Sequence, residues 1–293
     1  MKRISSLALL CFSFALSAQA ATPFNRKYSD IQAELKAIVA ANPATAQMVD
    51  IGVNDTGQMI QGIKTGTGPV HNLLVATHHG NEYGSTEVGL AMAHSLAEAP
   101  IAGQTITVIP VLNVSGYDKR QRYEIGIDPN RDYPGPCGSS AGPFSLKSTK
   151  ALADYIAKEN IVASTTLHTF SPFVLYPWGF GTDDVKTEYD QIYIDLGKAS
   201  AIESGYPVGN SAEALYPANG CYEDYAMWKH GVWSMLYQLG FSHNPTQPAI
   251  DTLIAVNVPG LRRYYEQVPT ARADHHAFNG KCTKDLVSLR IDE

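Results

Sequence analysis

Hydrophobic and polar positions follow two spacings along this chain, one typical of helices and one typical of strands. Apolar residues recurring every three or four positions predict α-helices at 29–41, 85–96, 145–158, 187–203 and 248–267. Short, mostly apolar runs predict β-strands at 48–53, 59–64, 72–77, 105–112, 161–168 and 232–239, of which 105–112 is rich in β-branched residues. The Asn-Asp-Thr-Gly turn at 54–57 joins the first two strands as a hairpin, and a Gly- and Pro-rich loop is expected at 113–143.

The alternation of these strands and helices predicts one α/β domain with a mixed, mostly parallel β-sheet and helices on both faces. No internal repeat, low-complexity tract or linker divides the chain, so the domain is expected to span residues 21–293. Active sites of such sheets collect at the carboxyl ends of the strands. His79 and His168 each lie where a predicted strand ends.

Residues 1–20 have the pattern of a secretory signal peptide. Lys2 and Arg3 precede an apolar run at 7–16, and an Ala-x-Ala cleavage pattern ends at Ala20. The apolar run is too short to span a bilayer. We therefore predict a secreted or periplasmic protein without a membrane partner after signal removal; a lipoprotein signal at Cys11 and a retained anchor helix are the weaker alternatives.

Composition narrows the possible partners and covalent links. The chain is 44% hydrophobic and 17% charged, as in globular proteins. Removal of the signal leaves 20 basic and 28 acidic residues, a formal net charge of −8, and the scattered basic residues do not favour nucleic-acid binding. Cys137, Cys221 and Cys282 remain, so an oxidising compartment permits one disulfide and one free thiol, and the pairing stays open.

His79 and Glu82 form a His-x-x-Glu pair directly after an apolar strand, and both can turn toward one cation. His78 is the competing histidine, but it has no carboxylate three residues later. His168 is the best candidate for a third ligand, although a lone histidine at such a place is more often a hydrogen-bonded core residue. Two imidazoles and a carboxylate would hold zinc with one coordination position open for water.

Several ordered motifs resemble the M14 zinc carboxypeptidases over roughly residues 25–268. The resemblance rests on His79-x-x-Glu82 followed by Gly-Ile-Asp-Pro-Asn-Arg at 126–131, Leu-His-Thr-Phe-Ser at 167–171, Leu-Tyr-Pro-Trp-Gly at 175–179, Tyr-Pro-Ala-Asn-Gly at 216–220 and Glu-Asp-Tyr-Ala at 223–226. It implies that His79, Glu82 and His168 hold one Zn²⁺ with a bound water. It also implies removal of a C-terminal residue from a peptide substrate with a free carboxylate.

The same resemblance assigns roles to further residues. Asn130 and Arg131 match the pair that binds the terminal carboxylate, for which a planar guanidinium is suited. Asp128 matches the carboxylate that orients the first zinc-binding histidine. Tyr216 matches the mobile tyrosine that closes over substrate, with an ordinary buried tyrosine as the alternative.

Two further assignments depend on spacing in less regular segments. Arg122 is the better candidate for the arginine that stabilises the oxyanion, and Arg120 is the alternative. Glu223 stands where members specific for basic residues carry an acid at the base of the side-chain pocket. A buried carboxylate there would favour a Lys, Arg or diaminopimelate ammonium, whereas a solvent-exposed Glu223 would not.

The largest departure from the family is at residue 238. The catalytic glutamate, which is the general base and then the proton donor, falls on Gln238. A neutral amide cannot take a proton from water at neutral pH, and general acid–base catalysis contributes roughly 10²–10⁴-fold. A ligand-binding relative with impaired catalysis, a proton path through another carboxylate and an engineered substitution all stay open.

The leading interpretation is a zinc metallocarboxypeptidase-like protein whose activity depends on the Gln238 position. The alternatives are a catalytically impaired, zinc-dependent peptide-binding protein and a murein-peptide amidase acting on diaminopimelate-containing peptides.

Overall fold

The computed structural model describes residues 25–181, 186, 188–274 and 281–282, so the predicted signal peptide lies outside the described residues. The helices are α1 Tyr28–Ala41, α2 Tyr83–Glu98, α3 Val114–Lys119, α4 Lys147–Lys158, α5 Asp190–Ser200, α6 Ser211–Ala214, α7 Tyr222–His230 and α8 Gln247–Gln267. The strands are β1 Ala46–Val53, β2 Met59–Thr65, β3 Val70–Ala76, β4 Gln104–Ile109, β5 Ala163–His168, β6 Phe173–Tyr176, β7 Val208–Asn210 and β8 Trp233–Gln238.

These strands form one sheet in the order β1-β2-β4-β3-β5-β8-β6-β7. The four central strands, β4, β3, β5 and β8, are mutually parallel, and antiparallel pairs join β1 to β2, β2 to β4 and β6 to β8. The mixed, mostly parallel α/β sheet predicted from the sequence is therefore confirmed.

Burial follows position in the sheet. Every residue of the central strands β4 and β5 is buried, whereas the edge strand β1 keeps exposed positions. Two α8 tyrosines fix that helix to the sheet: Tyr265 donates its hydroxyl proton to Leu73 O at 2.7 Å, and Tyr264 donates to Trp233 O at 2.6 Å. Among the described residues, no helix combines the length and apolar character needed to cross a bilayer.

The strand order places a crevice between β3 and β5. The chain continues from β3 to β4 on one side, and from β5 to β6 on the other side, beyond β8. The connections that leave the carboxyl ends of β3 and β5 therefore diverge. Ligands of open α/β sheets bind at such a switch point. His79 follows the end of β3, and His168 is the last residue of β5.

Several elements differ from those predicted. The segment expected to be a loop at 113–143 contains α3 and a short 3₁₀ helix at Pro129–Arg131, and the helix predicted from residue 187, itself outside the described residues, begins at Asp190. The sequence did not reveal β6, β7, α6 or α7. β6 and β7 have four and three residues, too few to show a period. The first six residues of α7 are all buried, so that helix has no amphipathic pattern.

The three cysteines that follow the predicted signal peptide form one disulfide and leave one free thiol. Cys137 and Cys282 are bonded, with their Cα atoms 5.5 Å apart, and Cys221 is free and buried. The disulfide joins the segment after Arg131 to the C-terminal part of the chain.

Candidate active site

Three buried side chains converge at the carboxyl ends of β3 and β5. His79, Glu82 and His168 each offer one ligand atom, and these atoms all lie within 4.8 Å of one another. The Nδ1 atoms of the two histidines are 3.2 Å apart. Glu82 Oε1 lies 2.7 Å from His79 Nδ1, and Glu82 Oε2 lies 3.1 Å from His168 Nδ1. The structure thus brings together all three residues that the sequence predicted as metal ligands.

The backbone between β3 and α2 determines where His79 and Glu82 point. Thr77 takes a left-handed conformation, with a φ of 61°, and its hydroxyl bonds the α2 hydroxyl of Thr86 at 2.6 Å. Gly80 packs against the backbone of α3, where an added Cβ would lie 2.2 Å from the carbonyl carbon of Gly116. A larger residue would displace this turn, so Gly80 allows the ligand-bearing segment to lie directly on α3.

Asp128 and Arg122, which are not members of the three-residue cluster, contact the His79 ring and orient it. His79 Nε2 lies 3.1 Å from Asp128 Oδ1, which places the ring proton on Nε2 and leaves the Nδ1 lone pair directed at Glu82 and His168. Arg122 donates from Nε and Nη2 to Asp128 Oδ2 at 3.1 and 2.8 Å, and its Nη1 lies 3.3 Å from His79 Nδ1. Arg122 therefore lies beside the cluster, whereas Arg120 is exposed at the end of α3.

Charges within the cluster shift the pKa values of its members. Burial alone would raise the pKa of the Glu82 carboxyl, but the His79 and His168 rings lower it below its usual range. Burial and Arg122 both lower the pKa of His79, yet Glu82 and Asp128 outweigh them and raise it. Burial also opposes ionisation of Asp128, but His79, Arg122 and Arg131 hold its pKa well below the ordinary value. The cluster thus surrounds the His79 imidazole with two carboxyls, Glu82 and Asp128, that favour their ionised form.

The donor set fits a zinc ion. Zinc bonds of 2.0–2.2 Å in a tetrahedral arrangement place neighbouring ligand atoms roughly 3.3 Å apart. The observed separations are close to this value: the two histidine Nδ1 atoms are 3.2 Å apart, and the nearest Glu82 carboxylate oxygen lies 2.7 Å from one and 3.1 Å from the other. Thr169 N donates to Glu82 Oε2 at 3.1 Å and fixes the carboxylate. Two imidazoles and one carboxylate leave the open position that catalytic zinc sites have.

A guanidinium lies in the same pocket, bonded only to uncharged groups among the described residues. Arg131 Nη1 donates to Asn130 O at 2.6 Å and to Cys221 Sγ at 3.5 Å, and its Nη2 donates to the Tyr216 hydroxyl at 3.2 Å. Asn130 Oδ1 accepts from Tyr222 N at 2.9 Å, which turns the amide nitrogen toward His168 Nε2 at 3.4 Å. Arg131 and Asn130, predicted to bind the terminal carboxylate, therefore lie together with Tyr216, predicted to close over substrate.

Gln238 ends β8 directly beside His168. The two residues are paired in the β5–β8 register, and both line the pocket that contains His79 and Arg131. Gln238 Oε1 is buried and has no hydrogen-bond donor within the described part of the chain. An unpaired buried amide oxygen is costly, so this atom is suited to accept from a ligand or water in the pocket.

Two adjacent carboxyls from α7 line the same pocket. Glu223 is 3% exposed, which excludes the solvent-exposed alternative, and it accepts a hydrogen bond from the Thr166 hydroxyl of β5. Asp224 accepts from Gly179 N at 2.9 Å. Burial, with a contribution from Glu223, raises the pKa of Asp224 to about 8.

Sequence reasoning missed some members of this pocket. Asp224 and Cys221 line it beside Glu223 because they flank Glu223 around the first turn of α7. An acidic pair at a helix start is ordinarily an exposed capping feature, so the Glu-Asp dipeptide gave no reason to expect burial. Thr169 follows His168 directly and could have been found as the donor expected to orient a ligand carboxylate.

Comparisons with known proteins show which sequences and folds this chain is similar to. The sequence profile described as zinc carboxypeptidase, peptidase family M14, matches residues 31–257. Carboxypeptidase B of Astacus astacus is 23% identical over 249 residues, covering 70% of this chain and 82% of the relative. Bovine carboxypeptidase O is 28% identical over 155 residues, 41% of this chain, and the match spans only 41% of that relative.

Solved structures share the fold. Carboxypeptidase A of Helicoverpa armigera superposes with a TM-score of 0.74 at 20% identity, covering 85% of this chain and 76% of the other. Bovine thrombin-activatable fibrinolysis inhibitor, solved with a tick carboxypeptidase inhibitor, gives 0.74 at 17% identity, with coverage of 82% and 95%. The murein-tripeptide amidase of Escherichia coli O157 gives 0.54 at 15% identity, with coverage of 78% and 95%. This chain belongs to the zinc carboxypeptidase family.

Proposed function

We propose that this protein is an exported, zinc-dependent carboxypeptidase-type protein that binds peptides by their free C-terminal carboxylate, and that Gln238 limits hydrolysis. The observation that carries the proposal is the Arg131 guanidinium. It lies in the pocket with His79 and His168, and none of its hydrogen bonds within the described residues goes to a carboxylate. A half-buried cation whose hydrogen-bond partners are all neutral favours an anionic ligand.

The remaining residues fit hydrolysis of the adjacent peptide bond. Zinc held by His79, Glu82 and His168 would polarise the scissile carbonyl and make water a better nucleophile. Arg122, whose Nη1 reaches the ligand atoms, is placed to donate to negative charge that develops on the carbonyl oxygen. Gln238 can orient water through its amide but cannot remove the proton.

Binding of matched peptides tests carboxylate recognition without requiring turnover. We expect the protein to bind a peptide with a free C-terminus about 10–100-fold more tightly than the same peptide amidated, because a hydrogen bond to a charged group contributes roughly 1.5–3 kcal/mol. Arg131→Gln should abolish the difference, since it removes the charge. Isothermal titration calorimetry measures both constants. Equal affinity for acid and amide in the unaltered protein would contradict the proposal.

The side-chain pocket supports a preference for a basic C-terminal residue. Glu223 and Asp224 are both buried and both line the pocket, so a cation entering it meets two carboxyls. A Lys or Arg side chain would pair with Glu223 and would also favour ionisation of Asp224, whose pKa of about 8 leaves it protonated near neutral pH.

Replacing Glu223 tests this preference. We expect Glu223→Gln to weaken binding of peptides ending in Lys or Arg by about 10–100-fold, while peptides ending in Leu bind about as before. Glu266→Gln, at an exposed position late in α8, makes the same chemical change outside the pocket and should alter neither affinity. Parallel loss for basic and apolar peptides would mean that Glu223 only maintains the fold of the pocket.

Activity on murein peptides is the second candidate function. The acidic pocket suits the ammonium of diaminopimelate, and the murein-tripeptide amidase has the same fold. Binding of a diaminopimelate-containing muropeptide, compared with a Lys-terminated peptide, distinguishes the two. Selective binding of the muropeptide would favour the amidase, and selective binding of the Lys peptide would favour the carboxypeptidase.

A further inference from the structure

A buried acid lies in the turn between Arg122 and Asp128. Glu124 is fully buried, whereas its neighbours Tyr123 and Ile125 are 48% and 50% exposed. This reverses the usual arrangement, in which the apolar side chains of a surface turn are buried and the acid is solvated. The turn is closed by reciprocal backbone hydrogen bonds of 2.9 Å between Glu124 and Ile127. The backbone therefore directs this carboxyl into the protein.

The surroundings of Glu124 contain hydroxyl, amide and acidic groups. Ser148 of α4 donates its hydroxyl proton to Glu124 Oε2, and Glu124 Oε1 has no hydrogen-bond donor within the described part of the chain. The Asn54 amide and the Asp55 carboxyl face Glu124 from the β1–β2 hairpin, and Asp132 faces it from the segment before α4. Lys147, the first residue of α4, has an exposed side chain, and its backbone N–H donates to Asp55 at 2.8 Å.

Within the described part of the chain, no basic side chain forms an ion pair with Glu124. The charged groups that act on it, Asp55 and Asp132, are both acidic and raise its pKa, and the hydrogen-bonding groups of Ser148 and Asn54 lower it only in part. Burial is the main reason why the pKa of Glu124 is raised to about 7. Protonated Glu124 fits this interior, whereas ionised Glu124 is unfavourable in it.

The turn that Glu124 anchors carries both residues that hold His79 from outside. Arg122 lies two residues before Glu124 and Asp128 four residues after it, and their side chains are joined by hydrogen bonds of 2.8 and 3.1 Å. Arg122 O accepts from Gly80 N at 3.2 Å, which connects the turn to the ligand-bearing segment. Release of Glu124 would therefore loosen the attachment of Arg122.

We propose that Glu124 is a positioning residue that holds the 120–128 segment, and with it Arg122, in place while its carboxyl is protonated. Deprotonation favours conformations in which the segment opens and the carboxylate reaches water. The role assigned to Arg122 rests on the proposed function, but the anchoring of the segment does not.

The pH window follows from the two pKa values. Released into water, Glu124 has an ordinary pKa of about 4.3, below its buried value of about 7. The closed segment therefore binds more protons than the open one, and its stability falls as pH rises between these values. Linkage predicts that the open population grows about tenfold from pH 6 to pH 8.

Hydrogen exchange of the 120–128 segment, measured by mass spectrometry and corrected for the intrinsic pH dependence of exchange, tests the proposal. We expect protection to fall about tenfold from pH 6 to pH 8 in the unaltered protein. Glu124→Gln, a neutral isostere, should keep its protection at both pH values, and Glu124→Ala should lose protection at both. Glu98→Gln, at an exposed position at the end of α2, should behave like the unaltered protein.

Equal protection at pH 6 and pH 8 in the unaltered protein, or the same fall in Glu124→Gln, would overturn the proposal. Exchange requires neither metal nor peptide, so its result is independent of the proposed function. If Gln238→Glu confers turnover, its kcat should fall as pH rises from 6 to 8 with KM nearly constant, and adding Glu124→Gln should remove that fall. Absence of turnover would count against the proposed function and leave the exchange result to decide the role of Glu124.

Discussion

Replacing Gln238 by glutamate should raise peptide turnover by about 10²–10⁴-fold, the contribution expected of general acid–base catalysis. Residue 238 ends β8 beside His168, lines the pocket with His79 and Arg131, and has a buried amide oxygen without a donor among the described residues. A carboxylate at this place can take a proton from water and return it to the leaving amine. Steady-state hydrolysis of peptides with a free C-terminus measures the change.

Two controls make this comparison specific. Gln47→Glu makes the same substitution at an exposed position of the edge strand β1 and should leave turnover unchanged. Zinc content and affinity for the peptide should be nearly the same in the unaltered protein and in Gln238→Glu, because neither the predicted metal ligands nor Arg131 changes. Turnover that does not rise, in a variant that still binds zinc and peptide, would show that residue 238 is not the base position.

Replacing His168 by alanine should remove bound zinc and abolish turnover in the Gln238→Glu background. Loss of a residue that only hydrogen-bonds a metal ligand typically lowers metal affinity 10–100-fold. Loss of one of three direct ligands should lower it further. His168 is 1% exposed, and its Nδ1 lies about 3 Å from both other ligand atoms, at 3.2 Å from His79 and 3.1 Å from Glu82. Competition with a zinc-binding dye measures the affinity.

The matched control for this variant is His94→Ala, which removes an exposed histidine that contacts Glu34 on the surface. Its zinc affinity should equal that of the unaltered protein. Retention of zinc by His168→Ala with unchanged affinity would place the metal elsewhere and would contradict the assignment of the three ligands.

The central part of the fold was predictable because its strands are long and almost wholly buried. β3 ends in an apolar run, β5 contains two β-branched threonines, and β8 has large apolar side chains, and their alternation with helices implies a parallel sheet. β6 and β7 are too short to show a periodicity, and they form because β8 offers an edge with which β6 pairs. Strands this short form only by pairing with strands that are distant in the sequence, and a local sequence pattern does not reveal that pairing.

The candidate site and its surroundings also contain features that the sequence predicts and features that it does not. His79 and His168 were predictable because each lies at or just after a strand end, where topology brings distant residues together, and Glu82 was predictable from its spacing of three residues after His79. The Cys137–Cys282 pairing was not, since it depends on where the chain passes after α8. Neither was the burial of Glu124, because its exposed apolar neighbours indicate an ordinary surface turn and only the contact with α4 shows otherwise.

The central claim is that His79, Glu82 and His168 hold one zinc ion, and anomalous X-ray scattering at the zinc edge from crystals of the zinc-loaded protein tests it most directly. We predict one strong anomalous peak per chain, at about 2.0–2.2 Å from His79 Nδ1, His168 Nδ1 and a Glu82 carboxylate oxygen. No peak at this site, or a peak held by other residues, would contradict the account.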